Sequence, residues 1–383
     1  MIGEIGGIRE IRGKMGELGL GGFLVLTKLN RQYLSGFTGS HGVLLVRGDR
    51  GDKGNWGELY VDDRYLIRAR RESGVKVRPI KELTPALSLQ KRGLGGVLGV
   101  EDRITLKEFA WLKKMFHPLR SRRGKGEVRF VVTSNIVENL RAVKTPAEIA
   151  AIRKGARIVD RIFGEIVKGI KRLKTEAGIA LYIEKRAKAL GAEKLAFDPI
   201  VAWGPNAAAP HHLPGKTKIG RNNFLLIDMG VVVDGMHSDF TRTLFIGKPS
   251  REQEKIYEAV RAAQEAGIRE IGDIREIRGK RIDQAVRSSI ARAGYGKNFT
   301  HSSGHGVGLE IHELPNLSAD SEDVLRPRQV VTVEPGIYIV PLRGISRREK
   351  GCGVRIEDMV LIKEKGAEVV SRVPKDLKSM IVK

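Results

Sequence analysis

The chain has 383 residues, 41% apolar and 30% charged, which is room for two domains of ordinary size, each with its own core. No run approaches the roughly 18 apolar residues that span a bilayer, the N-terminus lacks a basic stretch followed by an apolar one, and the lone cysteine, Cys352, has no partner for an internal disulfide, so no membrane and a cytoplasmic setting are expected. The net charge of +24 is carried mostly by residues 1–200 (40 Lys and Arg against 22 Asp and Glu), in short clusters such as Arg68–Arg71 and Arg120–Lys125 without interleaved aromatics, so a solvated basic surface is expected and no specific nucleic-acid partner.

Residues 1 to about 135 alternate helix and strand signals. Ile8–Leu18 has helical apolar spacing and is followed by Gly19–Gly22 and a strand at Phe23–Leu26. Val43–Val46, Leu59–Val61 and Val97–Val100 are short apolar runs of strand type, Val77–Pro79 reads as an edge strand, Leu106–Phe116 as a helix and Val128–Thr133 as a last strand. Strands interleaved with helices predict an α/β layer domain over residues 1–136. His41 and His117 stand alone in it and are expected to be structural.

A boundary follows at Thr145-Pro146-Ala147-Glu148, where Thr, Pro and a Glu three residues on make a capping box with proline at the first helical position. Ile149, Ile152, Val159, Phe163, Ile166 and Ile170 then recur at helical spacing, and a second helix, Glu176–Leu190, stops at Gly191. These helices open a second domain, residues 137–383, whose strands begin near Phe197. The heptapeptide IREIRGK occurs at Ile8–Lys14 and again at Ile274–Lys280; two copies make no repeat architecture, and it is assigned no function.

The chemistry gathers in the second domain. Phe224–Ile227 and Val231–Val233 lead into Asp234-Gly235, a dipeptide of tight hairpin turns, and Phe240–Phe245 follows as a further β-prone run. Asp228 and Asp239 are thereby expected nearly opposite each other on the two arms, where Cβ atoms lie roughly 5 Å apart. Two carboxylates that close either share a proton or hold a cation between them, unless both sit solvated in loops. Five of the eight histidines lie in two short segments, His211 and His212 after Pro210, and His301, His305 and His312 in HSSGHGVGLEIHELP, which is the density of a site rather than of scattered core histidines. Seven residues separate His305 from His312, so an extended strand would turn them to opposite faces unless a kink intervenes. Glu334 ends the run Val330–Val333, and Glu357 lies within Gly353–Ile362, both costly places for an unpaired carboxylate. Asp228, Asp239, His305, Glu334 and Glu357 make an oxygen-rich donor set with one nitrogen, suited to two divalent ions such as Mn²⁺, Co²⁺, Fe²⁺ or Zn²⁺, whose four positive charges the four carboxylates balance.

LIDMG, SDFTRT, GHGVGLEIHELP, TVEPG and VRIED, in that order over roughly residues 140–370, resemble the pita-bread metallopeptidases: aminopeptidase P, prolidase and methionine aminopeptidase. RQYLSGFTGSHGVLLV and LYVDDRYLIRAR resemble the creatinase/prolidase N-terminal domain, which favours the proline-specific branch. The resemblance implies an α/β N-terminal domain followed by an α+β pita-bread catalytic domain. It implies two divalent ions per subunit, Mn²⁺ first, with Asp228, Asp239, His305, Glu334 and Glu357 as ligands and Asp239 and Glu357 bridging. Glu334 becomes the proton shuttle, and His312 the donor to the substrate carbonyl oxygen. His211 and His301 become substrate contacts, and Arg355 a partner of a ligand carboxylate. The implied partner is a peptide with proline in second position, and the implied assembly a homodimer. An Xaa-Pro aminopeptidase is expected, with an Xaa-Pro dipeptidase as the alternative and a non-catalytic binding protein behind both. Two positions depart from the pattern. Trp203 stands where a small or hydroxyl residue is usual, which puts the pocket shape in question. Asn316 replaces an Arg common in prolidase-like sequences, which favours longer peptides over dipeptides. Cys352 is expected to pack rather than react.

Overall fold

The computed structural model describes residues 4–48, 57–83, 97–116, 128–273, 277–340 and 351–383. His117, the Arg120–Lys125 cluster and the first three residues of the second IREIRGK copy lie outside them. The chain divides into two compact units, Met1–Arg141 and Ala142–Lys383.

In the first unit a mixed six-stranded sheet is built from β1 (Gly22–Val25), β2 (Val43–Arg47), β3 (Gly57–Val61), β4 (Lys76–Pro79), β5 (Val97–Glu101) and β6 (Arg129–Thr133), in the order β4-β3-β2-β1-β5-β6. β4 is an edge, as the sequence predicts, and the expected helices stand at Glu4–Glu17 and Leu106–Phe116. Alternating strand residues serve two cores, with Phe23, Val25, Leu44 and Val46 on one face beside Ile8, Ile11 and Met15, and Leu24, Leu26, Val43 and Leu45 on the other beside Leu112 and Phe116. This is the layered α/β arrangement the interleaved signals imply. His41 stacks on Tyr65 and bonds Ser40.

The second unit opens with the capping box, complete in both directions between Thr145 and Glu148, which starts the helix Pro146–Gly169. The helix Glu176–Ala189 follows. Two further helices, Arg251–Asp273 and Gly279–Arg292, pack on the same large core. The strands are β7 (Lys194–Leu195), β8 (Ile200–Trp203), β9 (Asn223–Asp228), β10 (Val231–Val233), β11 (Met236–His237), β12 (Thr241–Ile246), β13 (Gly304–Gly306), β14 (Glu313–Leu317), β15 (Val330–Val333), β16 (Gly336–Ile339), β17 (Cys352–Arg355), β18 (Asp358–Ile362), β19 (Ala367–Val369) and β20 (Ile381–Val382). They form sheets β20-β12-β9-β8, β14-β13-β15-β18-β19, β11-β10-β7 and β16-β17. A bridge between Thr241 and Glu357 brings the first two together.

The Asp234-Gly235 turn forms as read, both residues at positive φ, between β10 and β11. The placement of Asp228 opposite Asp239 needs correction. Asp228 faces Thr241 and Val232 faces His237, a register that puts Asp239 diagonal to Asp228 on the same face. Diagonal neighbours lie roughly 7–8 Å apart, which leaves room between the two carboxylates. Trp203 and Cys352 are both buried in the main core, and the Trp203 ring lies against Gly220. Burial also pushes the Cys352 thiol up to about 11, which leaves it inert as a nucleophile.

Phe240 anchors the segment that carries Asp239. Its ring meets Phe163 edge-on with centroids 5.4 Å apart, and the Arg242 guanidinium sits 4.6 Å from the same ring. A Phe240→Ala variant is expected to lose about 3–5 kcal/mol of unfolding free energy in denaturant titrations; a loss below about 1 kcal/mol would show that this packing does not hold the segment.

Candidate metal centre

Strand ends deliver the five predicted residues to one place. Asp228 ends β9, Asp239 precedes β12, His305 is central in β13, Glu334 follows β15, and Glu357 lies between β17 and β18. Ligand atoms of Asp239, His305 and Glu357 lie within 4.8 Å of one another. His305 Nε2 is 3.3 Å from Glu334 Oε1 and 3.7 Å from Asp239 Oδ2. His305 Nδ1 lies 3.1 Å from the Gly306 carbonyl, which can only accept, so that nitrogen carries a proton and Nε2 is the one turned to the acids.

The donor set fits a divalent cation. Asp228 Oδ1 and Glu357 Oε1 are buried without a hydrogen-bond partner, and buried carboxylate oxygens are rarely left so. The other oxygen of each is held. Asp228 Oδ2 accepts from Arg355 Nη2 at 2.6 Å, and Glu357 Oε2 accepts from Thr241 Oγ1 at 2.7 Å. Each carboxylate is thus oriented by one oxygen and presents the other.

Burial, then repulsion from neighbouring carboxylates, raises Asp239 and Glu357 well above the usual range. Burial raises Asp228 too, opposed by Arg355. Burial also acts on Glu334, but the hydrogen bond and charge of His305 outweigh it and hold this carboxyl at about 2. His305 shows the reciprocal balance: burial disfavours its charge, yet Glu334 and Asp239 raise it to about 9. Without a cation the pocket therefore carries protons.

Around this cluster, His312 meets the His305 ring edge-on with centroids 4.3 Å apart. The kink that spacing demanded is present, a register shift between His305 and Gly306 where β13 meets β14. His301 Nδ1 donates to the Ser302 carbonyl at 2.8 Å, which leaves Nε2 to accept from the Tyr338 hydroxyl at 2.9 Å. Tyr338 in turn accepts from Arg355 Nη1 at 2.9 Å, so a chain of hydrogen bonds runs from Asp228 through Arg355 and Tyr338 to His301. Burial lowers both His301 and His312, which keeps them neutral near pH 7. His211 is exposed, within electrostatic reach of both of those rings.

His212, its sequence neighbour, turns away to Glu176 at 3.0 Å. Glu176 is fully buried and also accepts from Trp203 N, Asn206 and Gly215 N, tying down the loop that carries His211. Glu176, Thr241 and Tyr338 were not singled out in the sequence, where nothing local marks a residue whose partners lie 17 to 116 positions away.

Buried carboxylates and an imidazole converging at strand ends, on a two-unit chain of this topology, define a metal-dependent hydrolase. Residues 150–364 match the model of metallopeptidase family M24, and residues 8–143 match the creatinase/prolidase N-terminal domain. The chain belongs to metallopeptidase family M24. It is similar to the Xaa-Pro dipeptidase of Pyrococcus horikoshii, 32% identical over 374 residues that cover 97% of this chain and 98% of the relative. Among solved structures it resembles the Xaa-Pro dipeptidase from Bacillus anthracis (TM-score 0.83, 32% identity, 98% of this chain and 99% of that one). It also resembles the X-Pro aminopeptidase from Thermotoga maritima (TM-score 0.79, 31% identity, 98% and 99%). These likenesses bear out the expected α/β N-terminal domain and pita-bread catalytic domain. Among the described residues no helix is long and apolar enough to cross a membrane.

The proton load gives a pH prediction. Asp239 and Glu357, raised in the folded state, stabilise the metal-free protein at low pH, and that contribution is lost as pH rises through their raised values. His305 adds stability that is complete below its unfolded value and lost as pH rises through about 9. A divalent ion needs these groups deprotonated and displaces those protons. Melting temperatures of the metal-free protein are therefore expected to fall from about pH 6 to about pH 9, and added Mn²⁺ to raise the melting temperature more at about pH 8 than at about pH 5.5. A metal-induced shift that does not change with pH would contradict this account.

Proposed function

We propose that this chain is an Xaa-Pro aminopeptidase, a metallopeptidase that releases the N-terminal residue from peptides with proline in second position. Two divalent ions, Mn²⁺ first among Co²⁺, Zn²⁺ and Fe²⁺, would be held by Asp228, Asp239, His305, Glu334 and Glu357, with Asp239 and Glu357 shared between both. When bound, such ions activate water as a nucleophile at neutral pH and polarise the carbonyl under attack.

The chain's own residues supply the rest. Glu334, kept ionised by His305, is suited to take the proton released on attack and pass it to the leaving proline nitrogen. His312, whose charged form is disfavoured by partial desolvation and by His305 beside it, can donate to the oxygen of the tetrahedral intermediate as a neutral ring. His211 and His301 line the approach to the scissile bond, and Arg355 holds Asp228. Residues 1–136 would form a creatinase-like domain and residues 137–383 the catalytic one, working as a cytoplasmic homodimer.

The observation that carries the choice between aminopeptidase and dipeptidase is at Asn316. It lies directly opposite His305 across β13 and β14, and its backbone N–H donates to Asp323 at 2.8 Å. Its side-chain amide reaches the same oxygen at 3.3 Å. The Asp323 carboxylate held there repels a free terminal carboxylate, and Asn316 brings no positive charge to receive one, so this edge suits a peptide that continues beyond proline. The dipeptidase reading rests on the relatives from Pyrococcus horikoshii and Bacillus anthracis, whose names state that activity.

With Mn²⁺ or Co²⁺ the protein is expected to cleave an Xaa-Pro-Xaa tripeptide well and an Xaa-Pro dipeptide poorly; faster turnover of the dipeptide would select the dipeptidase. Asn316→Arg should raise the dipeptide-to-tripeptide ratio of kcat/KM about tenfold, the worth of one charge-assisted hydrogen bond. Asp239→Ala should abolish turnover rather than weaken it, since it removes a ligand both ions share.

A further inference from the structure

We propose that the buried Lys144–Glu313 ion pair is the positioning element for His312. This rests on reading His312 as the donor to the substrate carbonyl. Both side chains are almost entirely enclosed, at 1% and 2% exposure, and Lys144 Nζ lies 2.5 Å from Glu313 Oε1. Lys144 Nζ also donates to the Ala142 carbonyl at 3.0 Å, and its backbone N–H donates to the Arg328 carbonyl at 2.9 Å. The lysine is thus moored to the frame of the catalytic unit, and through it Glu313 is moored as well.

His312 needs such a support. Its ring touches His305, but neither ring nitrogen has a hydrogen-bond partner among the described residues. Its position follows from the backbone of the segment Val307–His312 and from the edge-on contact with His305. Glu313, the next residue, gathers that segment: Oε2 lies 3.4 Å from the Glu310 N–H, and its carboxylate fills the space a Cβ at Gly308 would take. On the far side, the backbone N–H and the Nδ1–H of His237 both donate to the Gly308 carbonyl, at 2.8 and 3.0 Å. The loop is clamped between a histidine and a buried carboxylate, and that carboxylate is met in the interior by Lys144. A catalytic group placed by its backbone is sensitive to small shifts, since a displacement of about 1 Å can cost roughly a hundredfold in rate.

The test is a mutant cycle on Xaa-Pro-Xaa hydrolysis at saturating Mn²⁺, with bound metal measured alongside. Glu313→Gln is expected to lower kcat by about 10- to 100-fold with KM altered far less and bound metal unchanged. In a His312→Ala background the same substitution should change kcat by less than about twofold, because a residue acting through His312 has nothing left to position. If Glu313→Gln does not fold, Lys144→Met/Glu313→Leu, which strands no charge, takes its place in both arms. Full kcat in the folded variant, or a loss that persists undiminished in the His312→Ala background, would overturn the proposal. Should His312→Ala by itself leave kcat intact, the underlying reading of His312 fails, and that outcome is visible before the pair is touched.

Discussion

The structure turns on one electrostatic constraint, the gathering of Asp228, Asp239, Glu334 and Glu357 in a single buried pocket. Like charges at that spacing in a low-dielectric interior are unfavourable, and among the described residues only Arg355 and His305 pair with them directly. Arg355 is spent on one oxygen of Asp228 and His305 on Glu334, while Asp228 Oδ1 and Glu357 Oε1 are left bare. Left to itself the pocket recruits protons. A pair of divalent cations is the more complete solution, and membership of a metallopeptidase family accords with it.

The neighbouring residue Asp358 shows that the fold can satisfy a buried carboxylate when that is its purpose. Asp358 is fully enclosed, yet Arg242, Gln264 and Lys375 all donate to it, and Arg242 and Lys375 outweigh burial to hold it below the usual range. Arg242 also donates to the Glu357 carbonyl at 2.6 Å, clamping the extended segment that carries both acids against β12. Glu357 and Asp358 are adjacent in sequence and point to opposite sides of that segment, one into a saturated network and one into a pocket that lacks partners. Among the described residues, the two buried carboxylate oxygens left bare both lie in the site.

Short-range features of the fold were legible in the sequence because their causes are local. The capping box at Thr145, the Asp234-Gly235 turn and the apolar strand runs each rest on residues within a few positions of one another. The helices Lys28–Ser35 and Leu66–Glu72 were not anticipated; the first buries Asn30 and Arg31 rather than an apolar stripe, so its periodicity is invisible to a hydrophobicity pattern. The acidic and imidazole residues of the site were legible for a different reason: carboxylates inside β-prone runs are conspicuous because burying them is costly. Their supports were not. Thr241 orients Glu357 from 116 residues away, and Lys144 meets Glu313 from 169 away, contacts that only the folded chain creates. The diagonal placement of Asp228 and Asp239 was missed by two residues of register, which turn chemistry alone does not settle.

The central claim is that this carboxylate cluster exists to hold two divalent ions. Elemental analysis of the chain after equilibration with Mn²⁺ and removal of free metal tests it most directly. The account predicts two ions per chain, falling to one or none in Asp239→Ala. A parent protein that retains no metal would contradict it, as would an Asp239→Ala variant that keeps the full complement.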